Sequence, residues 1–343
     1  MIHSGYIGKV MYNKKYVVVG ATGMVGREIL TVLIERGVSP LNITPVASTK
    51  SAGQIIEYGW ARFVVSALAD VNFREFDIAL FSAGKDVSAR YAHTAAEAGC
   101  TVIDNSSYFR EHDDIPLIVP EVNMEDIERY NGKRIIANPN CSTIQVVMVL
   151  KPLHDMFGLN ELVMSTYQAT SGAGYCAVSE LLEQTRMVLD GETARPKHFK
   201  MQIAFNVIPQ IDDFSEYGYT KEELKMMNET RKILGISNIN IAATCVRVPV
   251  ITGHAVSVFA RFTDDIDLGK AIAVIDEFPG VRVMDDNATY TYATPIDVAG
   301  GNNVLVSRIR THPNIKNVLN FWCVSDNLRK GAALNAVQIA SRL

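Results

Sequence analysis

Apolar segments alternate with glycine-rich loops and helical patterns over the first part of the chain. A β-branched run at 16–19 leads into a glycine loop, and a helical pattern over 27–36 follows and stops at Gly37. Segments with the same patterns predict further strands at 43–47, 77–81 and 101–104 and a further helix at 87–98. Repeated strand–loop–helix units predict a doubly wound parallel sheet, which binds ligands at the carboxyl ends of its strands.

The pattern changes beyond residue 140. An apolar run at 144–150 predicts a buried helix, and the alanine-rich segment 326–343 predicts an amphipathic helix that packs on the first domain. The segments between them predict strands at 162–168, 239–248 and 255–262 and a helix at 177–189. We therefore predict a two-domain α/β protein, with a Rossmann-type domain formed by 11–140 and 325–343 and an α+β domain formed by 141–324.

Composition narrows the class of protein. The 343 residues are 48% hydrophobic and 20% charged with a formal net charge of -4, which is typical of a soluble globular protein without a basic nucleic-acid patch. No apolar run approaches the roughly 20 residues of a membrane helix. Residues 1–15 lack the apolar core, roughly 7–15 residues long, of a signal peptide. We therefore expect a cytoplasmic protein without nucleic-acid or membrane partners, in which residues 1–10 carry no function.

One cysteine stands apart from the others. The five cysteines show no C-x-x-C spacing and are odd in number, which argues against disulfides and structural zinc, and no metal site is predicted. Cys141 follows the strand-like run 134–137 and precedes the predicted buried helix. Ser142 and Thr143 are natural N-cap types, so Cys141 is expected at or beside a helix N-terminus, which favours a thiolate nucleophile. A small buried thiol in a core turn is the alternative.

Two loops predict a dinucleotide cofactor. The string Gly20-Ala21-Thr22-Gly23-Met24-Val25-Gly26 lies between a strand and a helix, as a dinucleotide fingerprint requires, although its spacing departs from G-x-G-x-x-G. A glycine-rich turn without a ligand is the alternative. The loop Ser48-Thr49-Lys50-Ser51 lacks the acidic residue that binds the ribose of NAD. Its lysine and hydroxyls suit a 2′-phosphate, so NADP is favoured, with a solvated loop lysine as the alternative for Lys50.

Several polar residues lie where strands end. Arg110 follows the strand at 101–104 and is a candidate anion clamp, with a surface salt-bridge arginine as the alternative. Gln168 ends a predicted strand and could orient an acyl carbonyl or be a satisfied strand glutamine. Arg247 and His254 flank a turn that can bring both to one site, although a lone histidine is also commonly structural.

A polar helix start is predicted at 220–223. Thr220 and Glu223 form a capping box, which gives Glu223 a structural role. Glu222 and Lys225 are three residues apart and share one helix face, as a solvated pair would also do.

These features together resemble the aspartate-semialdehyde dehydrogenases, from about Tyr16 to the C-terminus. That family converts L-aspartyl-4-phosphate to L-aspartate 4-semialdehyde with NADPH, on the route to lysine, methionine and threonine. The motifs that carry the resemblance lie at 20–26, 138–143, 168–174, 247–254 and 326–333. The resemblance implies a small-molecule substrate, NADP, and a homodimer or a dimer of dimers formed by the α+β catalytic and dimerisation domain.

The resemblance also implies a role for each matching residue. Cys141 resembles the thioester nucleophile and His254 the general acid/base. Substrate contacts are implied for Gln168, Glu222 and Arg247, and a phosphate pocket for Arg110, Asn140 and Lys225. Cofactor contacts are implied for Gly20, Thr22, Gly23, Met24, Val25, Gly26, Lys50, Ser51, Ser171, Gly172, Pro196 and Asn327. Lys50 stands where many members carry arginine, and Cys176 has no role in the motif.

The implied chemistry is thiolate attack with loss of phosphate, then hydride transfer to the thioester, without a metal. His254, with a near-neutral pKa, is expected to move a proton in both directions. An N-acetyl-γ-glutamyl-phosphate reductase shares this fold and chemistry, but resembles the string at 138–143 less well. A catalytically silent NADP-binding protein would have no need of an activated thiol.

Overall fold

The chain folds into two compact units. The computed structural model describes Met11, residues 13–130 and residues 132–343, so residues 1–10, for which no function is expected, lie outside the described residues. The first unit contains the described residues up to Pro139 together with Ala332–Leu343, and the second unit contains Asn140–Gly331. The predicted border at 324/325 therefore differs from the observed one, because residues 325–331 group with the second unit.

The secondary structure alternates between strands and helices in both units. In chain order the elements are β1 (Tyr16–Val19), α1 (Met24–Glu35), β2 (Ile43–Ala47), β3 (Ile55–Tyr58), β4 (Ala61–Val64), β5 (Ser66–Ala67), β6 (Ile78–Phe81), α2 (Lys85–Glu97), β7 (Thr101–Asp104), β8 (Ile135–Ala137), α3 (Cys141–Phe157), β9 (Leu159–Gln168), α4 (Tyr175–Leu189), α5 (Lys221–Leu234), β10 (Asn240–Arg247), β11 (His254–Phe262), α6 (Leu268–Glu277), β12 (Val281–Val283), β13 (Asp285–Asp286), β14 (Thr291–Tyr292), α7 (Pro295–Val298), β15 (Val304–His312), β16 (Ile315–Ser325) and α8 (Leu334–Ala340). Short 3-10 helices span Pro40–Asn42, Thr49–Ser51, Leu68–Asp70, Phe73–Glu75, Met124–Tyr130, Thr170–Ala173 and Glu216–Gly218, and a π-helical turn spans Arg329–Ala333.

The first unit is built on a parallel six-stranded sheet in the order β5-β2-β1-β6-β7-β8. The central strand β1 is fully buried, because helices cover both faces of such a sheet, and its residues are accordingly apolar without alternation. Strands β3 and β4 form a separate two-stranded antiparallel sheet. The predicted doubly wound Rossmann-type sheet is confirmed.

The C-terminal helix α8 completes the core of the first unit. Leu334, Val337 and Ile339 pack in the same apolar cluster as Ile29 and Leu33 of α1. The predicted return to the first domain is confirmed, but the predicted amphipathic helix over 326–343 is wrong in two respects. The α-helix begins only at 334, and most of its residues are buried on all sides.

A network of asparagine side chains ties the ends of β7 and β8 to the returning segment. Asn138 Nδ2 donates to Asn105 Oδ1 at 2.6 Å and to the Ala332 carbonyl at 3.4 Å. Asn335 Nδ2 donates in turn to Asn138 Oδ1 at 2.7 Å and to the Ile118 carbonyl at 3.0 Å. These buried amides are matched by one another, so the points where the chain leaves and re-enters the first unit are held together.

The second unit is an α+β domain, as predicted. Its mixed six-stranded sheet has the order β10-β9-β11-β16-β15-β12, with β10 parallel to β9 and β11 antiparallel to both β9 and β16. Helix α3 packs on β9, β11 and β16 and against α5 and α6. Its residues 142–150 are all buried, so the predicted buried helix is confirmed.

Leu334 of α8 is expected to contribute to the stability of the first unit. Leu334→Ala should lower the free energy of unfolding by about 2–5 kcal/mol, because a buried leucine (2% exposed) leaves a cavity when truncated. Urea denaturation measures the change, with the exposed neighbour Arg342→Ala as a control that should stay within about 0.5 kcal/mol of the wild type. Equal stability of the two variants would mean that α8 does not belong to the core.

Candidate active site

Helix α3 and strand β9 bring Cys141 and Gln168 to one end of the second unit. Cys141 is the first residue of α3 and Gln168 the last of β9. The two elements are joined by Gly158 alone, whose left-handed backbone (φ 69°) caps the helix and reverses the chain. Because helix and strand run back alongside each other, the start of the helix and the end of the strand lie at the same edge.

Strand register adds an arginine and a histidine to this edge. Arg247, at the end of β10, is the register partner of Gln168 in the parallel pair. His254 begins β11, the antiparallel neighbour of β9 on its other side. The predicted reversal between Arg247 and His254 thus brings both residues to the site.

The helix that begins at Cys141 is capped by Asn140. Asn140 Oδ1 accepts the backbone N–H groups of Ser142 at 2.9 Å and Thr143 at 3.2 Å. The expectation that Ser142 or Thr143 serves as the cap is therefore wrong. The cap is one residue earlier than Cys141, which leaves the cysteine at the first helical position, where the helix dipole favours an anion.

The cysteines differ in burial. Burial raises the pKa of Cys100 to about 11 and also raises the pKa of Cys245 and of Cys323, so these three are neutral core thiols at neutral pH. Cys141 is only half-buried, and the alternative of a buried core thiol is wrong. Cys176 is exposed in the first turn of α4.

A buried carboxylate connects three of the predicted site residues. Glu222 Oε1 accepts Asn140 Nδ2 at 2.8 Å and Gln168 Nε2 at 3.0 Å, while Oε2 accepts Lys225 Nζ at 3.2 Å. Burial alone would raise the pKa of Glu222, but Lys225 and the two amides outweigh it and the pKa is lowered. The carboxylate is therefore charged and orients its donors.

Burial and hydrogen bonding test the alternatives for Glu222, Lys225 and Gln168. Glu222 and Lys225 share a face, as predicted, but they are not a solvated pair, because Glu222 is 6% exposed. Gln168 Oε1 also accepts the Thr166 hydroxyl at 2.9 Å, so the side chain is held in place, and both alternatives for Gln168 stay open. The predicted capping box is confirmed, with Glu223 and Thr220 bonded in both directions.

The peptide groups of Ala169 orient Arg247 and His254. The Ala169 carbonyl accepts Arg247 Nη1 at 2.7 Å, and the Ala169 N–H donates to His254 Nδ1 at 3.0 Å. Because Nδ1 accepts from a backbone N–H, the imidazole proton resides on Nε2. This role of Ala169 could not be predicted from the sequence, because it depends on backbone groups, which every residue type carries.

His254 is buried with a free donor. Burial and the neighbouring Arg247 lower the pKa of His254 to about 3, so the expectation of a near-neutral pKa is wrong. Its Nε2 has no hydrogen-bond partner in the part of the chain that the structure describes. A Cβ added to Gly172 would lie 2.8 Å from that Nε2 and 3.1 Å from Arg247 Nη1. Glycine at 172 thus leaves room beside the Nε2–H.

Gly331 approaches the cysteine in the same way. A Cβ at this position would lie 2.9 Å from the Cβ of Cys141. Gly331 lies within the motif at 326–333, but no role was predicted for it from the sequence. The only signal is that a glycine stands within a helical segment, where it is usually disfavoured.

Arg110 belongs to the first unit, in the loop after β7. Its Nη2 donates to the Asn105 carbonyl at 2.9 Å, and the side chain is 8% exposed. The alternative of a surface arginine is therefore wrong. Asp104 precedes this loop and orders it by accepting the N–H of Ser106 at 3.0 Å and the hydroxyls of Ser88 and Ser106 at 2.6 Å.

The glycine loop of the first unit fits a dinucleotide. A Cβ at Gly26 would lie 2.1 Å from the Gly20 carbonyl oxygen, and one at Gly20 would lie 2.4 Å from the Ser82 carbonyl oxygen. Only glycine permits this close approach of the loop, helix α1 and the sheet. The N-cap residue of α1, Gly23, makes no side-chain cap, so backbone N–H groups at this end can meet a pyrophosphate.

A cavity lies at this loop. It measures about 540 Å³ and is lined by Val19, Gly20, Thr22, Gly23, Ala47, Ser48, Thr49, Leu68, Ala69, Ser82, Ala83, Val87 and Tyr91. Leu68 and Tyr91 also line this cavity, and neither belongs to a sequence motif that would have predicted it there. Met24, Val25 and Gly26 form the first turn of α1. Lys50 is exposed beside the cavity in the turn Thr49–Ser51, so the solvated-lysine alternative stays open.

The remaining predicted cofactor residues lie in the second unit. Asn327 Nδ2 donates to Ser171 Oγ at 2.9 Å, and Asn327 Oδ1 accepts the Gly253 N–H at 2.9 Å. Pro196 is exposed in the irregular segment after α4. The helices that the structure describes include none long and apolar enough to cross a membrane.

Comparison with known proteins gives consistent matches. A family model for the semialdehyde dehydrogenase NAD binding domain matches residues 15–130, and one for the semialdehyde dehydrogenase dimerisation domain matches residues 150–330. The aspartate-semialdehyde dehydrogenase of Campylobacter jejuni is 46% identical over 333 residues, which are 96% of this chain and 97% of that protein.

Solved structures agree with the sequence matches. Aspartate semialdehyde dehydrogenase II from Vibrio cholerae, complexed with ASA, has a TM-score of 0.92 at 43% identity and covers 95% of this chain and 97% of its own. The Candida albicans enzyme with NADP has a TM-score of 0.75 at 26% identity and covers 96% and 98%. Since these similarities run through both units, this chain belongs to the aspartate-semialdehyde dehydrogenase family.

Proposed function

We propose that the protein reduces L-aspartyl-4-phosphate with NADPH to L-aspartate 4-semialdehyde, phosphate and NADP⁺, reversibly, through a thioester on Cys141. The observation that carries the proposal is a half-buried cysteine at the first position of a capped helix. The same cluster holds Arg247, Glu222 and a His254 Nε2–H that has no partner among the described residues. The Vibrio cholerae relative that was solved with ASA supports this substrate class.

Cys141 and His254 have different roles in the reaction. The Cys141 thiolate attacks the acyl carbon, a C–S bond forms, the C–O bond to phosphate breaks, and phosphate leaves with the electron pair. Bound NADPH supplies the hydride that reduces the thioester. His254 donates a hydrogen bond from its Nε2–H to the oxygen on which charge develops. When the C=O bond re-forms, the C–S bond breaks, the electron pair returns to Cys141 as thiolate, and the aldehyde is released. In the tautomer fixed by Ala169, Nε2 is a donor, so His254 stabilises this oxygen rather than deprotonating the thiol.

The two charged groups on the α-carbon of the substrate match two charged residues of the site. Arg247 uses one guanidinium donor on Ala169, and the other donors suit the α-carboxylate. Glu222 suits the α-ammonium, and Gln168, which is bonded to it, suits the acyl group. Lys225, Asn140 and Arg110 are the proposed phosphate ligands, because they bring two cations and an amide N–H.

NADP is the proposed cofactor. Gly20, Thr22 and Gly23 line the cavity of the first unit, and Met24, Val25 and Gly26 continue its helix start. Lys50 and Ser51 are proposed at the 2′-phosphate. Ser171, Gly172, Pro196 and Asn327 are proposed on the side of the second unit. The Candida albicans relative with NADP supports this choice.

We also propose a cytoplasmic homodimer or dimer of dimers. The match to a dimerisation domain supports self-association. One face of the mixed sheet exposes apolar side chains, among them Val163 at 43% and Tyr167 at 37%, with the Trp322 ring 5.2 Å from that of Tyr167. A second copy would cover such a face.

The reaction is tested by phosphate-dependent NADP⁺ reduction with aspartate semialdehyde. Cys141→Ser should fold, bind NADP and lose nearly all of this activity, because a serine hydroxyl is a far weaker nucleophile than a thiolate. Cys176→Ser is the matched control and should retain wild-type turnover. Activity of Cys141→Ser within a few-fold of the wild type would exclude the thioester mechanism.

Cofactor preference is tested at the loop after β2. Lys50→Ala should raise the KM for NADPH much more than that for NADH, because only NADPH carries the 2′-phosphate. Steady-state kinetics with both cofactors measure the two changes, with the exposed Lys316→Ala as control. Equal effects on the two cofactors would mean that Lys50 does not contact the phosphate.

Substrate identity is tested at Glu222. Glu222→Gln should weaken binding of aspartate semialdehyde by about 2–5 kcal/mol, as loss of one member of a buried charge pair does, and leave NADP binding unchanged. Lys221→Gln, at an exposed position in the same turn, is the control. If the wild-type enzyme instead prefers N-acetylglutamate semialdehyde, which carries no ammonium, the proposed substrate is wrong.

A further inference from the structure

Lys225 is shared between two carboxylates. Its Nζ lies 3.2 Å from Glu222 Oε2 and 2.8 Å from Asp212 Oδ2. The two acids differ in origin, because Glu222 precedes Lys225 by one turn of α5, whereas Asp212 comes from the irregular segment before that helix. The Lys225 side chain is 22% exposed and that of Asp212 is 35% exposed, so the ion pair lies at the edge of the site, with Lys225 the more buried partner.

The backbone at Asp212 holds its carboxylate in place. Asp212 has a φ of 69°, in the left-handed region that side chains other than glycine rarely adopt. Its Oδ1 accepts the N–H of Asp213 at 2.9 Å, and its carbonyl accepts Gln210 Nε2 at 3.2 Å. One carboxylate oxygen thus stabilises the unusual backbone, and the other is directed at Lys225. Strain of this kind persists where the surrounding contacts fix it, and it concentrates at functional sites.

The two carboxylates compete for the same ammonium. Glu222 Oε1 already accepts two amide donors, so Oε2 is the atom left for a substrate ammonium. Lys225 lies on the same face of α5 as Glu222, because residues three apart in a helix are neighbours. Its ammonium could therefore move into closer contact with Glu222 Oε2. Its shorter contact, however, is with Asp212.

Asp212 also faces the substrate side. It lines a cavity of about 200 Å³ together with Arg247, the proposed carboxylate ligand, and with Ala173 of the glycine-rich loop. The Asp212 carboxylate therefore lies at the same cavity as Arg247, one of the charged groups that are proposed to bind the substrate.

We propose that Asp212 is a positioning residue, which holds the Lys225 ammonium away from Glu222 so that Lys225 can bind phosphate while Glu222 binds the substrate ammonium. The inference rests on the proposed function. Without Asp212, Lys225 and Glu222 neutralise each other, and both ligands lose their partner at once. This effect outweighs the gain that a phosphate anion would have from the removal of a nearby negative charge.

The test compares KM values in the phosphorylating direction. Asp212→Ala should raise the KM for phosphate and the KM for aspartate semialdehyde each by about tenfold, with the KM for NADP⁺ within about twofold of the wild type. Asp212→Asn, which keeps an acceptor but not the charge, should give smaller increases in the same two constants. Asp213→Ala is the matched control, because Asp213 lines the same cavity but its side chain pairs with the exposed Lys221 and not with Lys225, and it should change none of these constants.

A double-mutant cycle separates positioning from a structural role. In a Lys225→Met background, Asp212→Ala should change the KM for phosphate by less than about twofold, because it acts through the missing ammonium. An undiminished effect in that background overturns the proposal, as does a KM for phosphate that falls in Asp212→Ala. If Asp212→Ala does not fold, the same cycle is measured with Asp212→Asn. A wild-type enzyme without phosphate-dependent turnover would instead refute the proposed function itself.

Discussion

The buried carboxylate of Glu222 is the constraint on which the site depends. A charge removed from water must be matched by donors, or burial would neutralise it. Here the donors are the N-cap residue of the cysteine helix, the last residue of β9 and a lysine of α5. Because all three bond to one group, the cysteine helix, the sheet edge and α5 are fixed relative to one another at the point where the chemistry takes place.

Other buried acids in the second unit serve as clamps on backbone N–H groups. Glu229 Oε2 accepts the N–H of Asn140 at 2.6 Å, two turns along α5 from Glu222. Glu223 accepts the N–H groups of Thr220 and Cys245. Helix α5 is therefore buried through polar contacts, although its sequence is rich in charge. Its acidic side chains fix the positions of neighbouring backbone groups by hydrogen bonds, whereas an apolar helix would contribute packing alone.

Sequence patterns were sufficient for the features that depend on local periodicity and turn chemistry. The parallel strands β2 and β7 were predicted to the residue, because β-branched runs between turn signals define them. The capping box at Thr220 was predicted for the same reason. Features that depend on the tertiary environment were not accessible. The pKa of His254 follows from complete burial beside Arg247, which no local pattern encodes. Asn140, Ser142 and Thr143 are all favoured N-cap types, so residue type alone does not choose among them.

The C-terminal helix α8 has a consequence for the order in which the chain can fold during synthesis. Its leucine, valine and isoleucine side chains fill the core between α1 and the parallel sheet, yet they follow the whole second unit in the chain and leave the ribosome after it. The second unit, by contrast, is encoded without interruption and is complete before those residues appear. The earlier part of the first unit therefore waits with an open core until the second unit and α8 have been synthesised, and in that interval its exposed apolar surface is a target for chaperones.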